Sequence, residues 1–132
     1  MQDRYLFKAK RNDNGEWVFG GLSYCDKTGA YFITNMGKDH ISYIGFHQEV
    51  DSNTICQCTG LKDKNGKLIW ENDICRRVLL PTKRIKTNFK IAYVPYKCCI
   101  SAIDLDGSNI TFLSDYINNQ YEVEVIGNIF DN

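Results

Sequence analysis

Four tetrapeptides that begin with Asn or Asp and end with Gly divide this chain into short segments. They are Asn12-Asp13-Asn14-Gly15, Asp26-Lys27-Thr28-Gly29, Asp63-Lys64-Asn65-Gly66 and Asp104-Leu105-Asp106-Gly107. This pattern is typical of a type I turn followed by a glycine in the left-handed region, which forms a three-residue β-hairpin loop with a bulge. The repeated turn therefore predicts a chain built from short antiparallel strands.

Each predicted loop also fixes which residues face one another across its hairpin. The expected pairs are Ala9 with Phe19, Leu61 with Ile69, and Ala102 with Ile110. These pairings bring apolar residues onto a common face, and a shift of one residue would turn every side chain to the opposite face. The sequence thus predicts a register as well as a fold class.

The rest of the chain also favours a mainly β fold. Hydrophobic residues make up 43% of the chain and aromatic residues 13%, which suits pleated surfaces. The alternating segment 121–130 predicts a closing strand with a bulge or bend at Gly127. Pro95 predicts an edge strand or a bulged strand within the apolar run 89–103. The polar stretch 47–54 is the expected joint between an N-terminal β-meander and a C-terminal, partly open barrel.

Length and cysteine usage predict a single cytoplasmic domain. A chain of 132 residues suits one domain with one core. Residues 1–13 lack the apolar core of a signal peptide, and no apolar run is long enough to cross a bilayer. We therefore expect no membrane association. The six cysteines are expected to stay reduced in that compartment.

Charge is balanced over the whole chain but uneven along it. The net charge is zero, yet residues 74–103 contain seven basic side chains and no acidic one, and residues 104–132 contain six acidic side chains and no basic one. In one interpretation, which we favour, the two stretches pair as neighbouring strands and neutralise each other. In the other, the basic stretch forms a binding face.

The basic stretch carries the candidate binding residues. They are Arg76, Arg77, Lys83, Arg84, Lys86, Lys90, Tyr93 and Tyr96, with Phe89 close by in the sequence. Small β-barrels bind single-stranded nucleic acid with a cationic groove and stacking aromatic side chains. The alternative is that the aromatic residues belong to the core and the cations line a solvated loop. The balanced total charge favours that alternative.

Other chemistry receives little support from the residue pattern. Cys56 and Cys58 would project from the same face of a strand, but the adjacent pair Cys98-Cys99 cannot complete a zinc site, because neighbouring strand residues point to opposite faces. We expect Cys98 to be a small buried side chain. Nothing in the sequence places His40 or His47 near a thiol. We predict no catalytic residue, no metal ligand and no bound cofactor.

Three blocks of the sequence resemble the YopX family of small phage and prophage proteins. They are WVFGGL at 17–22, CQCTGLKDKNGKLIWENDIC at 56–75 and YEVEVIGNIFDN at 121–132. Asn72 stands where the family pattern has glycine, and Asn is the residue that best tolerates a positive φ angle in place of glycine. The resemblance implies a single domain over 1–132, in which 1–50 and 55–132 could form separate lobes, with an SH3-like barrel in the C-terminal part. It also implies self-assembly into a homo-oligomer, and no reaction.

We therefore predict a non-enzymatic binding or assembly module. Its phage or prophage origin and its location inside a bacterial host follow from the resemblance. Open strand edges would supply the contacts, either to copies of itself or to a host or phage protein. The alternative function is binding of single-stranded nucleic acid through the basic segment 76–97.

Overall fold

The computed structural model of the protein describes residues 3–35, 47–83, 86–107, 110–113 and 121–131. Within these ranges the chain forms eleven strands and three single 3-10 turns. The strand pairs in these ranges are antiparallel, so the prediction of a mainly β fold with antiparallel hairpins is confirmed. The strands are β1 (Phe7–Lys10), β2 (Trp17–Cys25), β3 (Ala30–Asn35), β4 (His47–Val50), β5 (Cys56–Lys62), β6 (Leu68–Trp70), β7 (Asp73–Leu79), β8 (Lys86–Val94), β9 (Cys99–Asp104), β10 (Ile110–Phe112) and β11 (Tyr121–Asn128).

The chain divides into two compact units, Met1–Cys58 and Thr59–Asn132. In the first unit the strands lie in the order β4-β3-β2-β1-β5. Alternation along β1 to β4 directs one set of side chains into a core of Ala9, Val18, Ile33 and Val50. Arg11, just beyond β1, forms an isolated antiparallel bridge with Val50 of β4.

The second unit contains the end of β5, then β6, and a five-stranded sheet in the order β10-β9-β8-β7-β11. One face of this sheet packs into a core that includes Ile69, Cys75, Phe89, Ile91, Ala102, Leu113 and Val123. Over the described residues the sheets do not close into a barrel. The SH3-like form of the C-terminal part stays a prediction.

All four turn glycines adopt the left-handed conformation that the tetrapeptide pattern predicts. Gly15, Gly29, Gly66 and Gly107 have φ angles of 73°, 73°, 79° and 76°. A residue with a Cβ atom is disfavoured there, although an added Cβ would meet no neighbouring atom within 4 Å. The glycine requirement at these turns therefore comes from the backbone and not from crowding.

The predicted register is wrong for the first hairpin. Ala9 lies opposite Val18, and Phe19 lies opposite Lys8. The cause is a loop one residue longer than predicted, since the Gly15 N–H donates to the Arg11 carbonyl four residues earlier, at 3.0 Å. Arg11 then pairs with Glu16, and every residue of the hairpin is shifted by one.

The other two predicted registers have opposite outcomes. In the third hairpin the Asp63 N–H donates to the Lys67 carbonyl at 2.8 Å, which agrees with the predicted pairing of Leu61 with Ile69. In the fourth, Ala102 lies opposite Thr111 instead of Ile110, so that prediction is wrong by one residue. The extra residue falls in the connection from β9 to β10, where positions 108–109 lie outside the described residues.

Two segments differ from their predicted roles. Pro95 does not lie in an edge or bulged strand but begins a 3-10 turn, Pro95–Lys97, which separates β8 from β9. A proline fits there because it occupies the first position of the turn, where no N–H is needed. The stretch 47–54 is not a joint, since His47–Val50 forms β4 and pairs with β3 inside the first unit.

Two local predictions in the second unit are confirmed. The register between β11 and β7 shifts between Val125 and Gly127, as expected for a bulge near Gly127. Asn72 has a φ angle of 70°, so it occupies the left-handed position that the family pattern gives to glycine.

Candidate binding surfaces

Two arginines of the basic segment, Arg76 and Arg77, lie on opposite faces of the second-unit sheet. Arg76 lies opposite Glu124 of β11, and its Nη2 atom is 3.4 Å from Glu124 Oε2. Arg77, the next residue along β7, points to the core side, and its guanidinium lies 5.1 Å from the centre of the Tyr121 ring. Because alternation separates the two side chains, Arg76 and Arg77 do not contribute to one cationic surface.

The remaining cations of the segment are only partly described. Lys83 has a φ angle of 53°, and its ammonium lies 3.8 Å from Glu122. Arg84 lies outside the described residues, as does the side chain of Lys86, whose backbone pairs with Val78. Lys90 lies opposite Ile74, which places it on the same face as Arg76. For Arg76 and Lys83 the structure agrees with the interpretation that basic and acidic stretches neutralise each other.

The aromatic residues near these cations divide between core and surface. Phe89 is fully buried, whereas Tyr93 and Tyr96 are 52% and 76% exposed. Tyr93 lies near the end of β8, and Tyr96 lies in the following 3-10 turn. The expectation that all three are core residues is thus wrong for both tyrosines. They stay candidates for stacking on a ligand.

A second surface, which the sequence did not predict, lies on the outer face of the first-unit sheet. Alternation and register place side chains of β2, β3 and β4 there, namely Phe19, Ser23, Cys25, Phe32, Thr34, His47 and Glu49. We call these seven residues the aromatic face. Phe19 is 47% exposed. Next to it, Lys8 and Lys10 hold their ammonium groups 4.5 and 5.4 Å from the centre of the Trp17 ring.

A shallow groove of about 290 Å³ opens on this face, lined by Ser23, Tyr24, Cys25, Phe32 and His47. The His47 ring packs edge-on to Phe32, with 6.4 Å between ring centres, and its Nδ1 lies 3.1 Å from the Thr34 hydroxyl. Cys25 and His47 thus line one groove, a proximity that the sequence did not indicate, whereas His40 lies outside the described residues. Cys25 and His47 come together because β3 pairs with β4, and residues 36–46 separate these two strands in the sequence. Local sequence pattern does not reveal such a pairing.

Cys25 in the first unit and Cys75 in the second have opposite electrostatic surroundings. The pKa of Cys25 is lowered by a hydrogen bond with the Thr28 side chain, with help from the N–H groups of Thr28 and Lys27. Burial raises the pKa of Cys75 to about 12, and the negative charges of Asp73 and Asp63 add to the effect. Cys25 is therefore the thiol that reacts more readily as a nucleophile.

The other cysteines show no disulfide, and their burial varies. Cys56 and Cys58 are fully buried on one strand, as alternation predicts. Cys98 is exposed in a left-handed conformation, so its expected burial is wrong, because the chain turns there between β8 and β9. Over the part of the chain that the structure describes, no group of three His, Cys, Asp or Glu residues is arranged to hold a metal ion.

The residues that carry the family resemblance in the second unit have structural contacts. Asp63 is 8% exposed, and its carboxylate accepts hydrogen bonds from the Asn65, Lys67 and Val125 N–H groups at 2.9, 2.9 and 3.0 Å. Asp73 is 1% exposed and accepts from the Trp70 N–H at 2.8 Å and from the Asn128 amide at 3.0 Å. These carboxylates hold the turns and β11 in place.

Comparison with protein families gives a match over most of the chain. A protein-family model described as YopX protein matches residues 6–132, which is nearly the whole chain. The search of curated proteins and the search of solved structures gave no match. Among the described residues, no helix is long and apolar enough to cross a membrane.

Proposed function

This chain belongs to the YopX family, and on that premise we propose that it is a non-enzymatic binding or assembly module acting through protein–protein contacts. In this proposal it is encoded by a phage or prophage, acts in the cytoplasm of the bacterial host, and assembles into a homo-oligomer. The resemblance to phage and prophage proteins supports the origin and the location.

The observation that carries the proposal is the composition of the aromatic face. Its exposed and half-buried side chains include Phe19, Phe32 and His47, whereas Glu49 is its one acidic member. The cores of protein–protein interfaces are enriched in aromatic residues and depleted in charged ones. The basic segment, by contrast, has Arg76 and Lys83 beside glutamates of β11, which favours protein contacts over phosphate contacts.

Affinity capture from bacterial extract tests the proposal, with the tagged full-length chain as bait. We expect a specific host or phage protein to co-purify with the wild type and to be lost with Phe19→Ser. Tyr96→Ser is the matched control, because it removes an aromatic side chain that is even more exposed, in the other unit. Retention should change little with salt. Equal capture by wild type and Phe19→Ser would contradict the role of the aromatic face.

Light scattering on the same samples tests for a homo-oligomer.

A second candidate function is binding of single-stranded nucleic acid, favoured by the exposure of Tyr93 and Tyr96. Replacing Lys83, Arg84 and Lys86 together should abolish retention on a single-stranded DNA column if the basic segment makes phosphate contacts. Such binding should also collapse as ionic strength rises. Retention that survives the triple replacement would eliminate this candidate.

A further inference from the structure

The outer edge of β11 is covered by a turn of the same chain. β11 pairs with β7 on one side and is the last strand of its sheet. On its other side the Lys64 N–H donates to the Val123 carbonyl at 2.9 Å, and the Val125 N–H donates to Asp63 Oδ2 at 3.0 Å. The turn 63–66 therefore makes hydrogen bonds that a neighbouring strand would otherwise make.

The turn also supplies a charge that this edge requires. Glu122 and Glu124 are about one-third exposed, at 31% and 34%, and lie two residues apart on β11. The Lys64 ammonium lies 3.8 Å from Glu122 and 3.7 Å from Glu124. Each glutamate also has a second cation, since Lys83 lies 3.8 Å from Glu122 and Arg76 lies 3.4 Å from Glu124. A segment that replaces the turn removes the cation that contacts both carboxylates, and a cation of its own would restore that charge.

We propose that the outer edge of β11 is an acceptor site for an extended segment of another protein that carries Lys or Arg at alternate positions. The turn 63–66 keeps the site closed by occupying it within the chain. This inference rests on the proposed function and identifies a second contact surface and the chemistry of its partner. Addition of a strand to a sheet edge gains affinity from main-chain hydrogen bonds, and the alternate cations give specificity.

A second copy of this chain does not suit the same edge through its own β11. Antiparallel pairing of two β11 strands would bring the glutamates of both copies together, and like charges across a strand pair are destabilising. A basic segment of a different protein has the complementary charge. The covering turn also protects the edge from unspecific pairing.

Replacement of Lys64 weakens the cover of this edge with little change to the turn, because Asp63 still accepts a hydrogen bond from the Val125 N–H. Lys64 is the second residue of the turn, the position that proline favours in type I turns, and the hydrogen bond from the Gly66 N–H to the Asp63 carbonyl does not involve it. Lys64→Pro removes both the N–H that contacts Val123 and the ammonium that contacts the glutamates. Lys64→Ala is the matched control, because it removes only the ammonium.

The test measures binding of a labelled Lys-Thr-Lys-Thr-Lys-Thr-Lys peptide to the full-length variants by fluorescence anisotropy. We expect Lys64→Pro to bind about tenfold more tightly than the wild type, since an intramolecular competitor lowers apparent affinity by the fraction of open molecules. Lys64→Ala should show a smaller gain. Adding Glu122→Lys and Glu124→Lys should abolish binding, whereas Glu16→Lys with Asp26→Lys in the first unit should not. The same peptide with Glu in place of Lys should not bind.

Amide chemical shifts locate the peptide, and they should change along β11. Equal affinity of the wild type and both Lys64 variants for the peptide would overturn the proposal. The same would follow if the first-unit control lost as much peptide binding as the variant with both β11 glutamates replaced. Self-association of Lys64→Pro without peptide binding would also overturn it, because the occupant would then be a second copy. If Lys64→Pro fails to fold, Lys64→Ala carries the test, and an affinity unchanged from the wild type overturns the proposal. Failure here leaves capture through the aromatic face unaffected, so the two proposals are tested separately.

Discussion

In the first unit, Gly15 and Gly29 donate their N–H groups to carbonyls four residues earlier, whereas in the second unit Gly66 and Gly107 donate to carbonyls three residues earlier. All four glycines end the same type of tetrapeptide and have φ angles within a few degrees of one another. The difference lies in the first residue of the tetrapeptide. Asp63 and Asp104 are buried at strand ends, whereas Asn12 and Asp26 are exposed within their loops.

Buried carboxylates therefore distinguish the two units. The second unit holds its turns and β11 with Asp63 and Asp73, while the first unit places Asp13 on the surface beside Arg11. A buried hydrogen-bonded carboxylate is costly to disrupt, because its donors are left without partners. One sequence signature can therefore end a hairpin in two ways, and only the buried Asp63 links its turn to a distant strand.

The largest effect is expected for Asp73→Ala. Removal of this carboxylate leaves the Trp70 N–H and the Asn128 amide without their acceptor, so we expect the second unit to lose about 3 kcal/mol of unfolding free energy. Urea unfolding followed by tryptophan fluorescence measures the change. Each unit has one tryptophan, so Trp17→Phe and Trp70→Phe backgrounds report on each unit alone. Asp13→Ala is the first-unit control. A similar loss there would show that the exposed carboxylate stabilises its unit as much as the buried one does.

Acid should weaken the second unit through Asp63. Burial opposes ionisation of this carboxyl, but hydrogen bonds from the Val125, Lys67 and Asn65 N–H groups hold its pKa below the usual value of 3.8. A lowered folded-state pKa gives stability that is present above pH 3.8 and is lost as the pH falls through the folded-state value. We expect the urea midpoint of the second unit to fall in that range, and Asp63→Asn to flatten the dependence. An unchanged slope in Asp63→Asn would contradict the assignment.

The turn glycines should behave alike in both units. Gly29→Ala and Gly66→Ala each place a Cβ atom at a φ angle of 73° or 79°, with no neighbouring atom within 4 Å. We expect a loss of about 1 kcal/mol at each position from backbone strain alone. Thermal unfolding of the two variants checks this. A much larger loss at Gly66 would show that the two turns differ in more than their hydrogen bonds.

The smallest effect concerns Cys25. Because the Thr28 side chain lowers the pKa of this thiol, Thr28→Ala should slow its alkylation by iodoacetamide at neutral pH, by about threefold. Mass spectrometry of the labelled peptides measures the rate at each cysteine. Cys75, with a pKa of about 12, should react only after unfolding and serves as the internal control. An equal rate at Cys25 in both proteins would show that Thr28 does not activate it.

The sequence was sufficient for features that depend on neighbouring residues. The left-handed glycines, the positive φ angle of Asn72 and the bulge near Gly127 all follow from local backbone preferences. The first-hairpin register was not predictable, because loops of three and four residues share the same tetrapeptide. The hydrogen bond between Asp73 and Asn128 joins positions 55 residues apart, and local pattern gives no sign of such contacts.

The basic segment and the aromatic face also differ in how far the sequence could predict them. The uneven distribution of charged residues along the sequence predicts that basic and acidic strands pair. Arg76 does lie opposite Glu124. The sequence did not predict the aromatic face, because His47 and Phe32 come together only when β3 pairs with β4. Residues 36–46 separate these two strands in the sequence. The exposure of Tyr93 could not be read from its strand, since the strand ends one residue later and leaves the ring beyond the core.

The contacts between Asn128 and Asp73 have a consequence for synthesis of the protein. Strands β1 to β4 are complete once residue 50 has left the ribosome, so they can pair while translation continues. The Asn128 side-chain amide, however, reaches the buried Asp73 carboxylate only after residue 128 has emerged. Nascent chains should thus carry an incomplete second unit while residues 73–128 are being synthesised.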